Sequence, residues 1–175
     1  MRVAVWRAAL LGLFMALSLR AEERFVDAAS ASPAEPYTNW ASAAQTIQTA
    51  LNYTGAVDGD VIWVYGGAGG GAVYASASGH ADPEGNTNVV VLARNIALIG
   101  VNNPVIDGGS TKRGVYMSTG SIDRFTIKNG FALQYGGGIR SLGGSVFNCQ
   151  IVSNRAGVSG GGMMNGDAVA NGGMV

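Results

Sequence analysis

The chain of 175 residues has one cysteine, one histidine and four prolines, and only 13% of its residues are charged. A lone Cys149 cannot close an intrachain disulfide, so stability must come from packing. The 11 basic residues are scattered and balanced by 11 acidic ones, which argues against nucleic acid and anionic membrane surfaces as partners. The uncharged run of 12 residues at positions 8–19 falls short of the roughly 20 that a membrane-spanning helix needs. No two aspartates are adjacent and no Gly-His-Gly occurs, so the carboxylate pair of glycoside hydrolysis is not visible.

That same run, preceded by Arg2 and Arg7 and followed by Arg20-Ala21 before Glu22-Glu23, has the layout of a secretory leader, residues 1–21, cut after Ala21. No cysteine lies near the cut, which argues against a lipid anchor. The leader holds three arginines and no acid. Cleavage therefore leaves 154 residues with 8 basic and 11 acidic side chains, a net charge of −3, and the size of a single domain. An exported monomer without a membrane span is expected.

What the chain has in quantity is glycine, 28 residues, and it has it periodically. Residues 120–139 recur 24 positions later. Ser121 falls on Ser145, Ile127 on Ile151, Ala132 on Ala156, Gly136-Gly137-Gly138 on Gly160-Gly161-Gly162, and Ile139 on Met163. A period of this length marks a repeat architecture whose units bury their apolar faces only by stacking. In the first copy Phe125, Ile127 and Asn129 alternate with Thr126 and Lys128, the pattern of a strand with one face buried; Cys149, Ile151 and Ser153 take the same offsets in the second. Each copy is expected to hold two strands, around 122–128 and from Gly138-Ile139, with glycine at the corners and no helix. Cys149, on the Phe125 position, reads as a small buried hydrophobe and not as a reactive thiol. A weaker copy is expected upstream at a slightly longer offset, with Ile96 on Ile122, Ile99 on Phe125 and Asn103 on Asn129, and inward Asn103 and Asn129 as an asparagine ladder.

Upstream, residues 22–57 read as an entry segment and a capping helix. Asn39 caps it, and Trp40, Ala43, Ala44, Ile47, Ala50 and Leu51 follow at helical spacing to Asn52. Asp58-Gly59-Asp60 reads as a turn into Val61-Ile-Trp-Val-Tyr65, the first full strand, and residues 58–175 as stacked coils. The glycine run at 66–71 lacks the Gly-x-Gly-x-x-Gly order and a following helix, so it reads as a flexible connection and not a phosphate loop. His80, Asp82 and Glu84 lie close together on a polar loop and are the candidate metal ligands, set against a plain solvated loop. After Asn165 another turn begins with no terminal cap, and the coils are expected to be truncated.

The segment Val105-Ile-Asp-Gly-Gly109, the Gly-Gly-Gly-Ile and Gly-Gly-Gly-Met tetrapeptides and the strand Phe125-Thr-Ile-Lys-Asn-Gly130 resemble bacterial secreted right-handed parallel β-helix proteins of the pectin-lyase-like superfamily. The tetrapeptides are also similar to the repeats of chlamydial polymorphic outer-membrane proteins. The resemblance covers residues 25–175. It implies an all-β, right-handed parallel β-helix solenoid with an N-terminal capping helix. It also implies either of two functions. One is an exported or cell-surface structural and binding module, adhesin-like, that presents loops to a polysaccharide or cell-surface glycan and needs no cofactor. The alternative is a polysaccharide lyase acting on uronate polymers with calcium, for which Asp123, Arg124 and Lys128 are the candidate catalytic residues, with Arg94, Arg140 and Arg155 on adjacent walls. Phe147 at the equivalent of Asp123 breaks any acidic column.

Overall fold

The structure is a computed structural model that describes residues 20–166. The expected leader, apart from Arg20 and Ala21, and the turn expected after Gly166 lie outside these residues. Strands dominate. The first eight are β1 (Glu23–Val26), β2 (Val61–Tyr65), β3 (Val73–Tyr74), β4 (His80–Ala81), β5 (Thr87–Leu92), β6 (Ala97–Val101), β7 (Val105–Asp107) and β8 (Arg113–Met117). The first repeat supplies β9 (Ser121–Asp123), β10 (Thr126–Lys128), β11 (Phe131–Ala132) and β12 (Ile139–Ser141). The second supplies β13 (Ser145–Phe147), β14 (Gln150–Val152), β15 (Arg155–Ala156) and β16 (Met163–Asn165).

These strands form four sheets. The orders are β1-β2-β6-β9-β13, β14-β10-β7-β3, β11-β15 and β16-β12-β8-β5-β4, and every pairing is parallel except β4 with β5. The four strands of the first repeat go to four different sheets, and each pairs with its own counterpart in the second: Ser121 with Ser145, Ile127 with Ile151, Ala132 with Ala156, Ile139 with Met163. Like therefore stacks on like. Leu98 lies beside Ile122, Ile106 beside Ile127, and Val115 between Val90 and Ile139, all within one buried cluster. Each such side chain contributes roughly 1.5–3 kcal/mol by leaving water.

The expected two strands per copy are in fact four. The run 122–128 breaks at Arg124, whose φ of +63° turns the chain between β9 and β10. The upstream copy keeps the same period as the two clear ones and not the longer offset expected: Leu98, not Ile96, pairs with Ile122, and Ile99 with Asp123. The corner Asn102-Asn103-Pro104 is longer than its counterpart at Arg124, so β7 pairs with β10 at a shortened offset, Val105 with Thr126. The asparagine ladder also falls differently. Asn103 and Asn129 sit at corners with φ near +50°, bonded to Thr126 and Asp107. Asn154, one place out of register, bridges the two repeats instead, accepting from Gly130 N at 2.7 Å and donating to Ile127 O at 2.9 Å.

The first strand is β1, ahead of β2. The helix expected at 39–52 is two pieces, a 3₁₀ turn at Trp40–Ser42 capped by Asn39 and α1 (Ile47–Asn52) capped by Thr46. Between them Ala44 pairs with Val26, its N–H donating to Phe25 O and its carbonyl accepting from Asp27 N. Two backbone bonds to a strand outweigh the modest helix propensity of two alanines. α1 buries Ile47, Gln48, Ala50 and Leu51, and the Gln48 amide takes the place of a neighbouring strand, bonding both Val91 N and Val91 O. Among the described residues no helix is long and apolar enough to cross a membrane.

Candidate functional site

The polar loop 75–88 is folded back as a hairpin, β4 against β5, around Asp82. Asp82 Oδ1 accepts from Glu84 N and Asn86 N at 2.8 and 3.0 Å. Its other oxygen meets Asn88 Nδ2 at 3.1 Å and the guanidinium of Arg113. Arg113, wholly buried, also reaches Glu84 (3.1 Å), Asn88 (3.1 Å), Gly136 O (2.9 Å) and Tyr135 O (3.0 Å). Arg140, also buried, binds the second Glu84 oxygen at 2.7 Å. Two arginines thus face two carboxylates in a closed network that ties the loop to the first repeat.

In this arrangement Ala81, Pro83 and Gly85 stay exposed, while Asp82 is buried and, like Glu84, paired with arginine. His80 is not with them: among the described residues no three His, Cys, Asp or Glu side chains converge to hold an ion. His80 instead lines a cavity of about 140 Å³ beside Ile47, Tyr74, Val89 and Val90. Burial, reinforced by Glu84 and Asp82, pushes the Tyr116 hydroxyl above its ordinary pKa. Asp60 is similarly committed. It is fully buried, paired with Arg24, and accepts from Glu22 N and Val57 N at 2.7 and 2.8 Å, with Gly59 at φ +95° completing the expected turn.

Asp123, Arg124 and Lys128 divide between two corners. Asp123 Oδ2 accepts from Arg124 Nε at 3.0 Å and Oδ1 from Asn148 Nδ2 at 2.8 Å. Lys128, at the far end of β10, lies 3.6 Å from Asp107, which Asn129 also holds. The structure therefore brings the first two together and leaves the third apart. Of the other arginines named from the sequence, Arg94 binds Ala56 O at 2.7 Å and Arg155 stacks on Phe131 at 4.7 Å.

The Arg124 corner opens onto a surface groove of about 430 Å³ lined by Gly100, Val101, Asn102, Asn103, Asn148 and Gln150. The glycine run 66–71 borders Asn102 and Asn103 as an ordered shelf. Gly66 N donates to Val101 O at 2.7 Å, and a Cβ on Gly66 would stand 2.0 Å from Asn102 O, so only glycine allows this approach. The flexible connection expected there is thus a turn held in the sheet. Cys149 packs against the core but is only partly buried; burial pushes its thiol up, and Asp123 adds to the effect, opposing the reactive thiolate.

Sequence reasoning missed the buried Arg113–Asp82 and Arg24–Asp60 pairs, whose partners are far apart in the chain. It also missed the outer rings of β2, although the alternation of Val61-Ile-Trp-Val-Tyr65 held the signal. Comparison of the chain with protein-family models, with curated proteins and with solved structures found no match.

Proposed function

We propose that the chain is an exported, cell-surface structural and binding module, a right-handed parallel β-helix of the pectin-lyase-like kind that presents corners and loops to glycan or cell-surface partners as a monomer. The observation that carries this reading is the parallel pairing of all four strands of one repeat with their counterparts in the next, in four sheets at once. Successive coils wound over a shared core give that pattern. The leader-like segment supports export, and handedness rests on the resemblance together with the near-universal right-handed crossover between parallel strands.

The lyase alternative draws on Arg124, which is exposed at the groove. It is weakened by the commitments of its other parts: both Asp123 oxygens are engaged, and Lys128 belongs to the next corner. The test is to express the full chain with its leader in a bacterial host, locate it by fractionation and surface protease accessibility, and assay the purified protein on polygalacturonate with calcium and with chelator. Export without unsaturated product is expected. Retention in the cytoplasm overturns the surface reading, and calcium-dependent product lost on Arg124→Ala replaces it with the lyase.

A further inference from the structure

Strand parity puts Val26, Ile62, Val64, Leu98 and Ile122 in the core of the first sheet, so the alternate residues face away from it. Register lines these up in one row across all five strands: Phe25 beside Trp63, Trp63 beside Ile99, Ile99 beside Asp123, and Asp123 beside Phe147. Trp40, 42% exposed, is set edge-on to Phe25 at 4.7 Å and tilted on Tyr65 at 5.6 Å. Tyr65 pairs with Val101, which lines the Arg124 groove, and Phe147, 53% exposed, adjoins Asn148 on its other flank. A half-exposed aromatic row and an amide-lined groove are therefore one continuous surface.

We infer that this surface binds an uncharged polysaccharide chain laid across the strands, its sugar rings seated on Trp40, Trp63 and Phe147 and its hydroxyls bonded by the groove amides; the inference rests on the module reading above. Three features select this occupant. Trp40, Phe25 and Tyr65 cluster at one end, but Asp123 and the groove amides separate them from Phe147, so rings and polar groups alternate along the length of the surface, whereas a protein partner is met by a contiguous apolar centre with a polar rim. The one guanidinium in the groove is already neutralised by Asp123 at 3.0 Å, so an anionic ligand would face a carboxylate as well as a cation. Asn102, Asn103 and Asn148 are each held to the protein through one end of the amide, by Gly67 O, Thr126 and Asp123, which orients the other end toward a ligand that both donates and accepts, as hydroxyls do. Five strands about 4.8 Å apart span roughly 19 Å, room for about four sugar rings at one per inter-strand spacing.

Arg124 itself adds a reason. It occupies the left-handed corner where the next repeat has Asn148, a conformation that asparagine tolerates better than arginine. The Arg124 guanidinium pairs with Asp123 at 3.0 Å and lines the groove.

The experiment titrates the full chain with cellohexaose, xylohexaose, mannohexaose and chitohexaose by calorimetry and tryptophan fluorescence, with polygalacturonate as the charged control. Saturable binding of at least one neutral hexamer is expected, weakened about tenfold or more by Trp40→Ala and by Phe147→Ala, both exposed and so compatible with folding. No saturable binding by any neutral hexamer, with a native β-rich spectrum, overturns the inference. So does binding that survives both substitutions, or a dimer dissolved by Trp40→Ala without any oligosaccharide response, which would give the face to a second copy. Fractionation and the lyase assay read the module proposal separately, so the two can fail independently.

Discussion

Arg113 has no exposed surface and five polar partners, among them two carboxylates. With Asp82 removed, Glu84 still faces Arg113, but Arg113, Asn88 and the Glu84 and Asn86 amides each lose a buried partner, at a cost of about 3–5 kcal/mol altogether. Asp82→Ala is therefore expected to lower unfolding free energy by that amount in urea, and pairing it with Arg113→Met is expected to recover part of the loss. A cost under about 1 kcal/mol for the single change would refute the network's role. Tyr74 is the other residue with a measurable signature. Its hydroxyl donates to Tyr65 O at 2.6 Å, accepts from Ala28 N at 3.2 Å, and is pushed by burial to a pKa of about 12. An unfolded tyrosine ionises near 10. Below that pH both states hold the proton and the stabilisation is complete; between 10 and 12 the unfolded chain gives it up first, so stability falls as pH rises. Tyr74→Phe is expected to flatten that alkaline limb in equilibrium denaturation measured across the window.

At the scale of the corner and the strand, glycine divides into two kinds. A Cβ on Gly137 would stand 2.0 Å from Arg155 O in the next repeat, whereas one on Gly69 would meet nothing within 4 Å. Gly137→Ala is expected to cost about 1–3 kcal/mol or more and depress the melting temperature, with Gly69→Ala close to neutral. Equal effects would mean that the repeats are not packed this closely. The same elements show what the sequence could reveal. The repeat period was legible because inward Ile127, Ile139 and Ala132 recur with like chemistry at one spacing. The strand breaks were not, since Arg124 and Ser153 adopt left-handed corners that their side chains do not advertise. Nor was the interrupted helix, because the backbone of Ala44 finds its partners well back in the chain, on either side of Val26 in β1. Of the candidate site, Arg124 was visible and its setting was not: the groove is made of residues 100–103, 148 and 150, which only stacking brings together.

Across the whole molecule the four sheets share one feature: β13, β14, β15 and β16 are each the last strand of their sheet. Among the described residues nothing pairs with their outer edges, and Val146, Cys149, Ile151 and Met163, which continue the core columns, are only partly buried. Amide hydrogen exchange is expected to be slowest in β2, β6 and β9, whose strands are paired on both sides, and faster in the two-residue β4, which has a single antiparallel partner. Equal protection of the two would contradict that pairing. The buried arginine network binds the 75–88 hairpin to β8 and β12, and Arg140 also reaches the Gly166 carbonyl just past β16, so these elements should hold together as one unit.

The constant spacing of the repeats has a genetic corollary. An in-frame excision of the codons for residues 121–144 would set Ser145 against Ala97, Ile151 against Ile106 and Met163 against Val115, so β13, β14 and β16 would each still find a parallel neighbour, while the two-residue β15 would lose β11, its one partner among the described residues. The excised protein would lose Arg140 and with it one clasp on Glu84, but no register. A gene built this way can shorten or lengthen by unequal recombination within its own repeats and still encode a folded product, so long as each exchange moves by whole circuits.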